Sequence, residues 1–105
     1  MYTPADIKGI EKFELRQELE VCNDYKITVP LASKPISAKQ EIINQEVVLV
    51  IWCEVYKSFS HISKSVDIYI VPTCEVMPFV LPPDAVFLET IIDANAFEWH
   101  IYYRG

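Results

Sequence analysis

The sequence has little glycine and no excess of basic residues. Only 2 of its 105 residues are glycine, against 7 prolines, which argues against a glycine-rich loop that could cradle a phosphate. Fifteen acidic and nine basic residues give a net charge of −6, so direct binding to a nucleic-acid backbone is not expected. Hydrophobic residues make up 51% and charged residues 23%, as in an ordinary globular protein. We expect one domain over residues 1–105.

Paired cysteines and long apolar runs are also absent. Cys22, Cys53 and Cys74 lie too far apart in the sequence for a CxxC redox or zinc motif, and we expect reduced, structural cysteines in a cytosolic protein. The longest apolar stretch, Val47 to Cys53, is about seven residues, against roughly 20 for a membrane span. The N-terminus lacks the basic and apolar segments of a signal peptide. The expected location is the cytoplasm, with no membrane partner.

What the chain does have is alternation of apolar and polar residues, the period of half-buried β-strands. The segment Glu11 to Glu20 lacks helix breakers, so a helical turn is an alternative there. Val47 to Tyr56 is apolar on both faces, which is typical of a central strand covered on both sides. The predicted strands are Ile10–Leu15, Tyr25–Val29, Ile36–Ile42, Val47–Tyr56, Val66–Val71, Val86–Ile92 and Ala96–Tyr103. The prediction is therefore an all-β fold of about seven antiparallel strands in a small sandwich or barrel.

Prolines and polar clusters mark the connections between these strands. Pro30 and Pro35 bracket a segment that cannot be a central strand. Residues 44–46 and 57–65 are predicted hairpin loops, and residues 93–95 are the predicted turn of a hairpin formed by the last two strands. The stretch from Pro72 to Asp84 contains four prolines, which predicts an ordered but irregular crossover. Its apolar residues predict that it folds over one end of the core, and a lid or a partner-docking surface is the alternative. These apolar residues include Met77, Phe79 and Leu81.

The last strand carries the most distinctive local pattern. Alternation places one set of side chains in the core, namely Phe97, Trp99, Ile101 and Tyr103. It places a second set on the opposite face, namely Glu98, His100, Tyr102 and Arg104. The second set, which we call the β7 strip, could contact an anionic ligand or a protein partner. The alternative is a solvated strand face stabilised by cross-strand pairs.

Neither histidine has the neighbours that catalysis or metal binding requires. His61 lies in a serine-rich loop and His100 in the last strand, and neither has a His or Cys partner at ligand spacing. The sequence offers no nucleophile, base and orienting acid at a recognisable spacing. We therefore expect no metal, no cofactor and no enzymatic activity. The dispersed acidic residues are expected to serve solubility, with mimicry of nucleic acid as an alternative.

Seven segments, taken in order, carry a resemblance to a known family. They are Ile10–Leu15, Tyr25–Pro30, Pro35–Gln40, Leu49–Val55, Ile68–Thr73, Phe87–Thr90 and Phe97–Tyr102. This order resembles a family of short, uncharacterised phage-encoded β-rich proteins with a Lys-Tyr/Phe-Glu-Leu start, a Leu-Trp-Ala-Glu-Val middle and a Val-Trp-His-Val end. The sequence departs from that pattern at Thr73-Cys74, where a Thr-Gly step is usual, and in its long crossover. The resemblance implies a fold but brings no catalytic residues.

These observations together predict a non-enzymatic accessory protein of a phage or another mobile element, acting in the bacterial host cytoplasm. Such a protein would bind and block a host protein, as an anti-defence inhibitor does, or sequester a small molecule. The expected contact surface is Glu98, His100, Tyr102 and Arg104 together with Met77, Phe79 and Leu81. The alternative is a homo-oligomeric structural or virion-associated protein, because long apolar strands leave unprotected sheet edges. Homo-oligomers are expected in either case.

Overall fold

Seven β-strands form two antiparallel sheets in the computed structural model, which describes residues 7–15, 22–56, 62–73 and 79–105. The strands are β1 (Ile7–Leu15), β2 (Cys22–Pro30), β3 (Ser33–Ile43), β4 (Glu46–Tyr56), β5 (Ser63–Pro72), β6 (Val86–Ile92) and β7 (Glu98–Arg104). One sheet has three strands in the order β1-β4-β3, and the other has four in the order β2-β5-β7-β6. The predicted all-β fold with seven antiparallel strands is confirmed. The sheets do not close into a barrel, so the architecture is a sandwich.

The core lies between the two sheets and is built by alternate residues of the strands. Leu49 and Ile51 of β4 face Ile68 of β5 and Ile101 of β7, and all four are essentially inaccessible to solvent. Each such side chain contributes about 1.5–3 kcal/mol of hydrophobic free energy when it is removed from water. Because the period is two, the residues between them necessarily point to the two outer faces.

The outer face of the three-stranded sheet confirms that β4 is central and buried on both sides. Val48 and Val50 are inaccessible although they point away from the core. In the strand register, Lys12 of β1 and Glu41 of β3 lie on either side of β4. Their Nζ and Oε1 atoms are 3.9 Å apart, so the ion pair crosses the strand. The methylene groups of such long side chains cover apolar surface while their charges stay in water.

The two prolines near the start of β3 lie at sheet edges, where a missing backbone donor is tolerated. Pro30 ends β2, and Pro35 lies inside β3 next to a register shift. The prediction that this region is not a central strand is confirmed, but the connection is shorter than predicted because β3 begins at Ser33. Only residues 31–32 separate the strands. Their backbone is bonded on both sides, with Leu31 N–H donating to Ile62 and Tyr56 N–H donating to Ala32.

The hairpin between β3 and β4 turns without glycine. Asn44 and Gln45 both have positive φ, at 51° and 69°, which is the type I′ geometry that matches the twist of antiparallel strands. The strand register resumes at once, with Ile43 opposite Glu46. The predicted loop at residues 44–46 is therefore a two-residue turn.

Several predicted features fall partly or wholly outside the described residues. The prediction of a strand, and not a helical turn, is confirmed for β1 as far as Leu15. Residues 16–21 are not described. The predicted loop at 57–65 ends at β5, which begins at Ser63, and residues 57–61 are not described. Residues 74–78 of the crossover, including Met77, are also not described. In the described part of the chain, no helix is long and apolar enough to cross a membrane.

Candidate functional site

The β7 strip lies on the outer face of the four-stranded sheet, as the alternation of β7 predicts. Ile101 points into the core, and Trp99 and Tyr103 pack against it. The strip residues occupy the intervening positions, with His100 and Tyr102 half-buried and Glu98 and Arg104 exposed. Phe97 is the exception to the predicted core set, because it precedes β7 and is 62% exposed.

Aromatic rings from three strands and the crossover meet around Tyr102. Phe87 of β6 packs edge-on against Tyr102 with 5.5 Å between ring centroids. Tyr69 of β5 is the cross-strand partner of Tyr102, and Phe79 of the crossover lies 6.4 Å from the Tyr69 ring. Such pairs stabilise beyond the area they bury. We call these four rings the aromatic face.

The crossover therefore reaches the β7 strip through Phe79. The sequence analysis expected these two segments to share a contact surface, and the structure brings Phe79 onto the same side of the sheet as Tyr102. Leu81 is half-buried two residues further along the chain. Met77, the third crossover residue of the predicted surface, lies outside the described residues.

His100 lies between two threonine hydroxyls. Its Nε2 atom is 2.6 Å from Oγ1 of Thr73, and its Nδ1 atom is 2.9 Å from Oγ1 of Thr90. Each threonine hydroxyl can donate to or accept from the ring nitrogen that it contacts, according to the tautomer of the imidazole. In a nucleophile–histidine–acid triad, the second ring nitrogen bonds a carboxylate. Here that position is taken by Thr90, and the two hydroxyls hold the ring in a fixed orientation.

Charged pairs close one end of the aromatic face. Arg104 Nε donates to Asp84 Oδ2 at 3.0 Å, and this hydrogen bond raises the pKa of the guanidinium. Lys26 and Asp67 form an ion pair on the neighbouring strands, level with Arg104 in the register. Arg104 is half-exposed and remains charged beside the rings, where it can contact a partner.

A cleft of about 440 Å³ lies at the opposite end of the strip. We call it the end cleft, and its lining residues are Pro72, Thr73, Ala96, Phe97, Glu98 and Trp99. Thr73 N–H donates to the Glu98 carbonyl at 3.3 Å, which joins the end of β5 to the start of β7. The cleft thus lies directly beyond the His100 contact with Thr73.

Asp93 organises the turn that forms one wall of the end cleft. Its Oδ1 atom accepts hydrogen bonds from the backbone N–H groups of Asn95 and Phe97, at 2.8 and 3.0 Å. Its Oδ2 atom accepts from the Trp99 indole at 2.9 Å. The indole bond, followed by the backbone bonds, lowers the pKa of this carboxyl. These bonds hold Phe97 outside β7, which is why its predicted place in the core is wrong.

Sequence reasoning missed several residues of this surface. Phe87, Thr73 and Thr90 lie beside the β7 strip only because β5 and β6 flank β7 in a particular register. The predicted turn at residues 93–95 signals that β6 lies beside β7, whereas no local pattern in the sequence signals the pairing of β5 with β7. The turn beside the end cleft does have a signal in the sequence, because an aspartate such as Asp93 often accepts a hydrogen bond from the backbone N–H two residues further on.

The described residues provide no obvious centre for metal or thiol chemistry. Within these ranges, no group of three or more His, Cys, Asp or Glu residues could hold a metal ion. Cys53 is a buried free thiol, and burial raises its pKa to about 11. A thiol of this kind is protonated near neutral pH and unreactive, in agreement with the structural role predicted for it. The side chains of Cys22 and Cys74 are outside the described part.

Comparisons with known proteins place the chain in one family. No curated protein and no solved structure matches it. A sequence model described as a domain of unknown function, DUF7352, matches residues 10–105. The match runs from within β1 to the end of β7 and so includes both the aromatic face and the end cleft. The chain therefore belongs to the DUF7352 family.

Proposed function

We propose that this protein is a non-enzymatic accessory protein of a phage or another mobile element, and that it binds and blocks a host protein in the bacterial cytoplasm. The observation that carries the proposal is the aromatic face. Phe87 is 52% exposed, and it is joined to Tyr102 and, across the strands, to Tyr69 and Phe79. Tyrosine and arginine dominate the binding energy of many protein interfaces, and Arg104 borders these rings.

The shape and charge of the surface favour a protein partner. The aromatic face is part of an open sheet, and a protein can cover such a surface, whereas small ligands usually occupy concave sites. Acidic side chains lie at both ends, with Asp84 beside Arg104 and Glu98 beside the end cleft. The net charge of −6 opposes binding to a polyanion. A host protein with a basic contact surface fits these features.

The proposed origin in a phage or mobile element depends on the resemblance described above. Its Trp-His motif corresponds to Trp99 and His100, which alternate across β7. Trp99 packs against the core, whereas His100 contacts Thr73 and Thr90 on the outer face. The motif thus combines a fold determinant with a residue of the proposed contact surface. Blocking a host protein requires a shaped surface and no chemistry.

The test is affinity capture from a bacterial lysate, using the wild type, Tyr102→Ala and Arg104→Ala as baits. We expect both variants to lose a specific captured protein while their melting temperatures stay within a few degrees of the wild type. Lys39→Ala is the matched control, since Lys39 is exposed on β3 of the other sheet. Retention of the same captured protein by both strip variants would contradict the proposal. Loss of folding in them would assign the strip a structural role instead.

A second candidate is a homo-oligomeric structural or virion-associated protein. It is favoured by β6, which is an edge of the four-stranded sheet and carries Val86, Phe87 and Ile92 with 47%, 52% and 64% of their surface exposed. Exposed apolar edge strands pair readily with other chains. Native mass spectrometry of the purified protein distinguishes the candidates. An oligomer that Ile92→Lys dissociates would favour the structural role, whereas an oligomer that this substitution leaves intact, or a monomer, would favour the blocking role.

A further inference from the structure

We propose that the end cleft binds an organic cation, an ammonium or guanidinium group attached to an apolar body. The volume of the end cleft, about 440 Å³, lies in the range of small-molecule sites. Its lining residues include two aromatics, a proline, a threonine and a glutamate, and the Thr73 hydroxyl donates to the Glu98 carboxylate at 3.4 Å. Aromatic rings and a carboxylate are the groups that recognise such cations in proteins.

The two rings are suited to a charged ligand. Phe97 is 62% exposed, and the Asp93 turn holds its backbone in place. The Trp99 indole is fixed by its 2.9 Å bond to Asp93, so its orientation is set before any ligand arrives. Tryptophan offers the strongest attraction to a cation among the aromatic side chains. A ring that is already ordered loses little entropy on binding.

The electrostatics of the cleft select a cation over an anion. Glu98 lines it, and the Asp93 carboxylate lies behind Trp99. The hydrogen bonds that Asp93 accepts lower its pKa, so it stays ionised at neutral pH. None of the six lining residues is basic. Among the described residues that line the cleft, an anion would therefore meet the Glu98 carboxylate and no basic side chain, whereas a cation would be attracted by that carboxylate.

Two sources could supply the cation: a lysine or arginine side chain of a protein partner, or a free amine such as a quaternary ammonium compound. The chemistry recognised is the same in both cases. The end cleft shares no residue with the aromatic face, so this inference does not depend on what that face binds. Small probes therefore test it without a partner.

The test is a titration of the wild-type protein with choline. ¹H–¹⁵N NMR spectra monitor the signals of the Trp99 indole and of the backbone amides of residues 96–99 at each choline concentration. Trp52→Phe assigns the indole signals, since the chain has two tryptophans. The uncharged isostere 3,3-dimethyl-1-butanol is the matched ligand. We expect saturable shifts with choline and roughly tenfold weaker binding of the isostere. Equal affinities would reduce the cleft to an apolar pocket and overturn the proposal, as would the absence of shifts with every probe.

Two variants locate the recognition. Glu98→Gln and Phe97→Ala should each weaken choline binding several-fold. Glu41→Gln removes the same unit of charge on the opposite sheet, where Glu41 pairs with Lys12, and should leave the affinity unchanged. An unchanged affinity in Glu98→Gln would overturn the proposal. The Trp99 indole shift in the free variants reports whether the cleft keeps its structure.

A capped arginine-containing tripeptide separates the two sources of the cation. Tighter binding of the tripeptide than of choline would identify a partner's side chain as the ligand, and the reverse order would identify a free ammonium compound. In either case the pattern of shifted residues must include Glu98 and Trp99. Shifts confined to the aromatic face would contradict the assignment to the cleft.

Discussion

The two outer faces of this sandwich differ although both are made of antiparallel strands. On the three-stranded sheet, the Lys12–Glu41 pair crosses β4 and apolar Val48 and Val50 beneath it are inaccessible. On the four-stranded sheet, Phe87 presents half of its surface to solvent among other rings. The centre of the first face is covered by its own charged side chains, although Ile10 on its β1 edge is 52% exposed, whereas the second face exposes the Phe87 ring.

This difference separates stabilisation from recognition. Charged side chains that cover a strand keep a sheet face soluble and unattractive to other proteins. Phe87 is the exposed ring of this face, Tyr102 and Phe79 are half-buried and Tyr69 is buried, and an exposed ring contributes less to folding than a buried one. Folding therefore depends chiefly on the core and on β4, and the outer face of β7 is the surface that we propose for binding.

The largest effect is expected for a substitution on the inner face of β7. Ile101→Ala should lower the free energy of unfolding by about 3 kcal/mol, because it removes a fully buried side chain at the centre of the core. Tyr102→Ala, one residue further along and on the outer face, should cost much less. Urea denaturation of both variants measures the contrast. Equal losses would remove the distinction between the two faces of the strand.

An intermediate effect is expected on the outer face of β4. Val50→Ala should lower the free energy of unfolding by about 2 kcal/mol, because Val50 is inaccessible beneath the charged side chains. The measurement is again urea denaturation, with exposed Thr28→Ala on β2 as the control. A loss no larger than that of the control would show that this face is solvated and not packed.

The smallest effect is expected at the turn beside the end cleft, and it depends on pH. The pKa of Asp93 in the folded protein lies below its ordinary value of 3.8, so its ionised form stabilises the fold. That contribution is present above about pH 4 and is lost as the pH falls through the folded-state pKa. Asp93→Asn should therefore lower the melting temperature slightly at pH 6, and the difference from the wild type should shrink towards pH 2.

A control for the Asp93 prediction lies in the hairpin of the other sheet. Asn44→Gly changes a turn residue with positive φ, where glycine is accommodated without strain, and it alters no ionisable group. Its effect on the melting temperature should be the same at every pH. If the Asp93→Asn difference were also constant with pH, the proposed role of the ionised carboxylate would be wrong.

Most strands could be predicted because alternation is a local property. The pattern in Val47 to Tyr56 indicated a central strand, and β4 is one. Phe97 shows the limit of the same reasoning, because it continues the apolar period of β7 but is held outside the strand by its hydrogen bond to Asp93. A side-chain cap outweighed the pattern there. Residues that follow this turn line the end cleft. The sequence predicts the turn but not the cleft.

The sequence by itself determined that the chain forms β-strands and which side of β7 faces the core, because side-chain alternation is a property of each strand alone. Only the tertiary structure decided what lies beside the outward residues. Thr73 and Thr90 contact His100 from 27 and 10 residues away in the chain, and Phe79 reaches Tyr69 from the crossover. The Thr90 contact follows from the hairpin of β6 and β7. The Thr73 contact depends on the pairing of the non-consecutive strands β5 and β7, and the Phe79 contact depends on the path of the crossover; no local pattern encodes either of them.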